Sequence, residues 1–212
     1  ALECPTLLYN GFGEHNIQGI GDKHVPFIHN VMNTDYVIGI SDTASDALNL
    51  LFNTSSGRAY LAKRTGLGQE FLGALADLGL SSIANVLGAV KRAKYANMGT
   101  TDPILTVATD GSELYGTEQE KALSQQPGGR LDTAVAAEAY GRYMLGAATD
   151  HLMETNRRDR ERIFNLGYYT WVEQQGVDVP AFEVRRKQSF WDDLMSKVPQ
   201  WDAMIDDFNS NL

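Results

Sequence analysis

Cysteine is almost missing from this chain: Cys4 is the single one in 212 residues. One thiol forms no intrachain disulfide and builds no cysteine-based zinc site, so a reducing, cytoplasmic setting is the simplest expectation. Positive charge is also short, with 18 Lys and Arg against 27 Asp and Glu and a formal net charge of −9. An acidic balance without clustered cations disfavours nucleic acid and anionic membrane surfaces as partners. No apolar run approaches the ~20 residues needed to span a bilayer, and no signal peptide is visible. Internal repeats and low-complexity tracts are missing too. What is present, 43% hydrophobic and 21% charged residues, is enough for one substantial core or for a domain with an extension.

Glycine, by contrast, is plentiful near the start. Asn10-Gly11-Phe12-Gly13 and Gln18-Gly19-Ile20-Gly21 read as loops whose backbone passes close to something. Val25 to Val31 reads as a short helix after Pro26. Asp35 to Ser41 reads as a buried strand, and Ser41-Asp42 cap a helix reaching about Phe52. Helical segments follow around Ser56 to Arg64 and Gly68 to Asp77. The stretch Leu78 to Leu87 then reads as a buried turn carrying two serines into a helix. Ile83, Val86, Leu87 and Val90 fall on one apolar face, Ser81 or Ser82 is the natural N-cap, and Gly99 sits where a left-handed C′ residue belongs. Pro103 to Thr109 is a β-rich run ending in Asp110-Gly111-Ser112. Strand, helices, strand in this order predicts a parallel pair joined by a crossover. Two parallel strands do not survive alone in water, so further strands are expected either from stretches read here as helix or from outside this sequence.

A second composition begins near Thr117, with Gln125-Gln126-Pro127-Gly128-Gly129 as a turn or linker. Helices are expected at about 131 to 153, 157 to 175, 189 to 197 and 200 to 209, with Gly176 stopping the second. The interleaved charges of Arg157 to Arg162 read as a solvated face. Trp201, Met204, Ile205 and Phe208 make an apolar stripe on the last helix.

Several chemical motifs fail their context. His24 and His29 are spaced poorly for one helical face and lack a third ligand, so no metal site is expected. Gly11-Phe12-Gly13 and Gly66-Leu67-Gly68 begin like dinucleotide loops but follow no strand. Gly111-Ser112-Glu113 lacks the second glycine of a nucleophile elbow. Lys23, in a polar loop, has no desolvated pocket to make it a Schiff-base lysine. Periodicity and spacing alone stop at an α/β ligand-binding piece.

Taken together, four stretches resemble the pyridoxal-phosphate enzymes of the cysteine synthase type (fold type II). His15-Asn16-Ile17-Gln18-Gly19-Ile20-Gly21 is similar to that family's His-Lys-Ile-Gln-Gly-Ile-Gly loop beside the cofactor. Asp35 to Asp42 resembles its strand running into Val-Ser-Asp-Glu. Gly79-Leu80-Ser81-Ser82 is similar to its Gly-Ile-Ser-Ser-Gly, and Thr109-Asp110-Gly111-Ser112-Glu113-Leu114-Tyr115 to its Pro-Asp-Ser-Gly-Glu-Arg-Tyr. Ile83 and Leu114 depart from the family's glycine and arginine. The resemblance implies the carboxyl-terminal part of a three-layer αβα parallel sheet followed by a helical extension. Residues 1–116 would belong to the cofactor-binding large domain, and residues 117–212 would be the extension packing on it.

The resemblance also implies the chemistry. Pyridoxal 5′-phosphate would be held by Ser81, whose hydroxyl meets the pyridine nitrogen (Ser82 being its rival), with Gly19, Gly21 and Asp110 lining the cofactor and Gln18 the amino-acid substrate. The activity implied is that of a lyase or β-replacement enzyme acting on a serine-derived amino acid. A neutral serine partner leaves the ring nitrogen unprotonated and favours elimination and replacement at the β-carbon. The family's Schiff-base lysine and phosphate loop would lie in an amino-terminal half of the same enzyme, so no catalytic residue is assigned here; the complete enzyme would be a homodimer. The competing expectation is a non-catalytic helical interaction module. Its acidic surface and aromatic tail (Tyr168, Tyr169, Trp171, Trp191, Trp201) would bind a protein partner.

Overall fold

The computed structural model describes residues 1–17 and 19–211. In chain order its helices and strands are α1 (Thr6–Tyr9), β1 (Tyr36–Ile38), α2 (Asp42–Asn53), α3 (Ser55–Thr65), α4 (Gln69–Ala74), α5 (Leu80–Tyr95), α6 (Gly116–Ser124), α7 (Thr133–Ala139), β2 (Leu152–Glu154), α8 (Arg157–Tyr168), α9 (Val179–Glu183), α10 (Gln188–Met195) and α11 (Val198–Ser210). They form two compact units, each discontinuous in sequence: Ala1–Lys23 with Val37–Met153, and His24–Tyr36 with Glu154–Leu212.

The first unit is built around α2. Ser41 takes an extended backbone and its hydroxyl accepts from the Ala44 N–H, the N-cap its position before a periodic apolar run predicts. Ala44, Leu48 and Leu51 fall at i, i+4 and i+7, and Leu50 and Phe52 bury a second flank. Both flanks are covered because α3, α5, α6 and α7 all pack on this helix. Thr54 ends it and starts the next: its hydroxyl donates to Leu50 O at 2.8 Å and accepts from Gly57 N at 3.1 Å. Gly57 lets α3 turn back onto α2, since a Cβ there would lie 2.2 Å from Leu51 O.

The expected parallel αβα sheet is not what these residues build. Among the described residues the only sheet is β1 with β2, and the two run antiparallel. Gly39 N donates to His151 O and Thr155 N to Asp35 O, both at 2.8 Å, so the pairing runs in opposite directions along the two segments. The partner of β1 therefore comes from residues expected inside a helix. That helix stops early, because α7 widens into a π turn over Tyr140–Leu145, where Gly146 N reaches back to Gly141 O. Residues 103–109 form an irregular segment with no strand partner among the described residues, and Leu105 is 96% exposed. High β propensity describes side chains that fit a pleated surface; it supplies no neighbouring strand. Val25 to Val31 makes turns in place of the expected helix, followed by a 3-10 turn at Val31–Asn33. Gly99 is not the C′ residue of α5: the left-handed position falls on Asn97, φ 51°.

In the second unit an Asn156–Asp159 capping box starts α8. Phe164, Phe182, Ile163, Val25 and Val31 form its apolar interior. Arg185 is buried among them, its guanidinium 4.2 Å from the Phe27 ring and 5.1 Å from the Phe182 ring. Its Nε and Nη1 have no hydrogen-bond partner among the described residues, and burial lowers its pKa. Ring faces offset part of that desolvation. Trp171 Nε1 donates to Val25 O at 2.8 Å, and Trp191 Nε1 to Arg185 O at 2.9 Å. Two of the aromatics expected on a partner-binding surface therefore fasten the unit internally. Among the described residues no single helix is long and apolar enough to cross a membrane.

Two helical glycines of the first unit make a paired prediction. Gly57→Ala forces a backbone clash and should cost about 1–3 kcal/mol, lowering Tm by about 2–4 °C per kcal/mol for a chain of this size. Gly73, in α4, has nothing within 4 Å of an added Cβ. Gly73→Ala should instead stabilise by about 0.5–1 kcal/mol by restricting the unfolded chain. Thermal unfolding followed by circular dichroism reads both; equal shifts would contradict this packing.

Candidate functional site: a hydroxyl cluster at the start of α5

Gly79 is the N-cap of α5, with extended φ −75° and ψ −178°, and no side chain caps the helix. Ser81 and Ser82 therefore fall inside the first turn, not at the cap where the sequence puts one of them. Their hydroxyls face a different task. Ser81 Oγ lies 2.7 Å from Thr109 Oγ1, and Ser82 Oγ accepts from Thr109 N at 3.0 Å. Gly79 N donates to Asp110 O at 2.7 Å, and Asn85 Nδ2 to Val107 O at 2.9 Å. The segment 107–110 is thereby clipped along the start of the helix. Only glycine fits at 79, because a Cβ would meet both Asp110 O and the Tyr115 ring at 2.6 Å.

Tyr115 completes the cluster. Its hydroxyl donates to Asp110 Oδ2 at 3.3 Å. Burial pushes its pKa up, and the Asp110 carboxylate adds to the shift. Ser81 and Ser82 are buried, at 5% and 1% exposure, whereas Asp110 is exposed. The structure thus brings Ser81 and Asp110 together through Thr109 and Tyr115.

Gly19 and Gly21 belong to another neighbourhood, and Gln18 lies outside the described residues. Both glycines are left-handed, φ +75° and +109°, which is reason enough for glycine. A Cβ on Gly21 would also meet His15 Nε2 at 2.8 Å, while Gly19 faces open space. The loop is tied to α2: Asn16 N donates to Asp42 Oδ2 at 2.6 Å, and Asn16 Nδ2 to Asp46 Oδ2 at 3.0 Å. His24 and His29 take hydroxyl partners, the distant Thr170 Oγ1 at 3.1 Å and the local Thr34 Oγ1 at 2.7 Å.

A cleft of ≈ 440 Å3 that sequence reasoning missed opens at the N-terminus of α2. Its walls come from residues 39–44, 87–91 and 142–151, together with Leu2. Lys91 Nζ donates to Asp150 O at 2.8 Å and to Asp150 Oδ1 at 2.9 Å. That bond is the main cause holding the Asp150 carboxyl below its ordinary range. His151 is left-handed, φ 51°, with Nδ1 3.0 Å from Tyr9 Oη and Nε2 3.7 Å from Asp150 Oδ2. Arg142 lies over the Tyr143 ring at 5.3 Å. No local motif marks these positions, since four separated stretches must fold before they meet.

No family model, no curated protein and no solved structure matches this chain.

The carboxylate that anchors the glycine loop has a pH signature. Burial is the main cause raising the Asp46 pKa from 3.8 to about 6. The unfolded chain ionises first, so the native state loses stability as pH rises from near 4 to near 6 and is level above that. Asp46→Asn removes the penalty and keeps the shape. The variant should gain about 1 kcal/mol over the wild type at pH 7, after discounting for solvent access, and almost nothing near pH 4. Urea unfolding at the two pH values measures this. The same gain at both would show that Asp46 is not held neutral by burial.

Proposed function

We propose that this chain forms the ring-nitrogen side of a pyridoxal-phosphate site in a lyase or β-replacement enzyme of the cysteine synthase type, acting on a serine-derived amino acid in the cytoplasm. The observation that carries the reading is the buried Ser81 hydroxyl, flanked by Thr109 and Tyr115 at the start of a 16-residue helix. The donor set fits a neutral pyridine nitrogen. A hydroxyl has one proton and two lone pairs. When Thr109 donates to Ser81, the Ser81 proton points to the Tyr115 oxygen beside it and would have to turn from there to an aromatic nitrogen. The Tyr115 proton is directed to Asp110, which keeps that carboxylate from competing for Ser81.

The bound cofactor supplies an electron sink for bonds at the amino acid's α-carbon. Ser81 would hold the ring nitrogen unprotonated and fix the ring's rotation. Ser82, by gripping Thr109 N, keeps the segment 107–110 against the helix so that Ser81 stays aimed. The Schiff-base lysine and the phosphate cup are assigned to an amino-terminal half of the same enzyme, and the complete enzyme to a homodimer.

A second reading, a helical module that binds a protein partner, is favoured by α11. Trp201, Met204, Ile205 and Phe208 share one face of it and are 43–65% exposed.

The test uses 4-deoxypyridoxine, a pyridine analogue with no aldehyde, so that only ring recognition is read. Titrated into the chain, it should shift the amide resonances of Ser81, Ser82 and Thr109 saturably. Ser81→Ala should weaken that binding about tenfold, the worth of one neutral hydrogen bond with its partner left unsatisfied. Ser82→Ala loosens the same clip without removing the donor, and should change affinity by no more than about twofold, within what solvent compensates. No saturable shift, or equal affinity in Ser81→Ala, overturns the cofactor reading and leaves the interaction module.

A further inference from the structure

We propose that the cleft at the N-terminus of α2 binds a small organic oxyanion, a phosphate or carboxylate carried on an apolar body. The cleft lies wholly within the first compact unit and is separate from the Ser81 cluster. Its volume, ≈ 440 Å3, falls in the range of ligand pockets and far exceeds a packing defect.

The polar groups favour a negative head. Lys91 and Asp150 neutralise one another across their ion pair. Arg142 makes no ion pair among the described residues, so its guanidinium is the uncompensated charge on the rim of an otherwise acidic chain. A guanidinium offers two parallel N–H groups that match a carboxylate or phosphate edge. Ser41 and Thr43 add hydroxyls to the wall, while the amino end of α2 itself already carries the Asp42 carboxylate and, on Asp42 N, the Glu3 carboxylate.

The apolar lining, Ile40, Ala44, Leu87 and Tyr143, gives the body of such a molecule a surface to cover. Two local distortions sit on this wall. His151 holds a left-handed backbone, rare for a residue with a side chain, and Tyr140–Leu145 is wound as a π turn. The turn carries both Arg142 and Tyr143, so the widened winding is what puts a cation and a ring on one rim. Strained backbone and π turns concentrate where side chains are aimed at ligands.

Phenyl phosphate, benzoate and inorganic phosphate serve as probes, titrated by calorimetry at low ionic strength. Phenyl phosphate or benzoate should bind saturably, more tightly than inorganic phosphate, and be displaced by it; which of the two binds better identifies the head. Arg142→Gln should weaken binding at least tenfold, about 1.4 kcal/mol. Arg142→Lys, keeping charge but losing the fork, should fall between. Ser81→Ala should leave this binding unchanged, which separates it from the cofactor reading. No saturable binding of either aromatic probe to the wild type overturns the proposal, as does equal binding to Arg142→Gln with an unchanged far-UV spectrum.

Discussion

Burial of α2 on both flanks is the constraint from which the first unit follows. A helix with one narrow apolar stripe needs one neighbour; α2 spreads its apolar residues over two flanks and is packed on by four. Leu48, Leu50 and Leu51 are at most 1% exposed because α3, α5, α6 and α7 enclose them. Enclosure also traps polar groups. Asn49 answers with Asn53 Nδ2 and Gln119 Nε2, at 2.9 and 3.4 Å, while Ser45 Oγ is left without a partner among the described residues. An unsatisfied buried hydroxyl costs about 1–3 kcal/mol, so the apolar contacts of α2 must outweigh it.

Once α2 is enclosed, its ends and neighbours are fixed. Its amino end holds the glycine loop through Asp42 and Asp46 and borders the cleft. Its packing on α5 sets the first turn where Ser81 and Ser82 grip Thr109. Tyr115, just before α6, reaches the same turn. The hydroxyl cluster and the cleft thus use different neighbours of one helix. A substitution in the core of α2 should therefore disturb both sites, whereas rim changes such as those at Arg142 should not.

Local signals were legible in the sequence and pairings were not. Ser41 caps α2 as read, because a cap is set by residues three apart. Gly176 stops the α8 segment with φ +71°, and the tail helices begin within two residues of their expected starts. The parallel sheet was wrong because a strand is completed by a partner far along the chain. Leu152–Glu154 sat in a stretch of helical composition, and 104–109 found no strand partner among the described residues. The serine pair was misread as a cap because glycine needs no side chain to adopt the cap conformation. Gly79 takes that place and releases both hydroxyls to Thr109. The cleft was illegible because Lys91, Arg142 and His151 have no common spacing.

The central claim is that α2 and the start of α5 form one cooperative body. Residue-resolved native-state hydrogen exchange tests it most directly, with Leu48→Ala as the perturbation. Removing that buried side chain should cost about 2–5 kcal/mol. The amides of α2 and the Ile83 amide, bonded to Gly79 O at 2.9 Å, should lose protection by the same free energy. Ile83 keeping its wild-type protection while α2 loses its own would contradict the account.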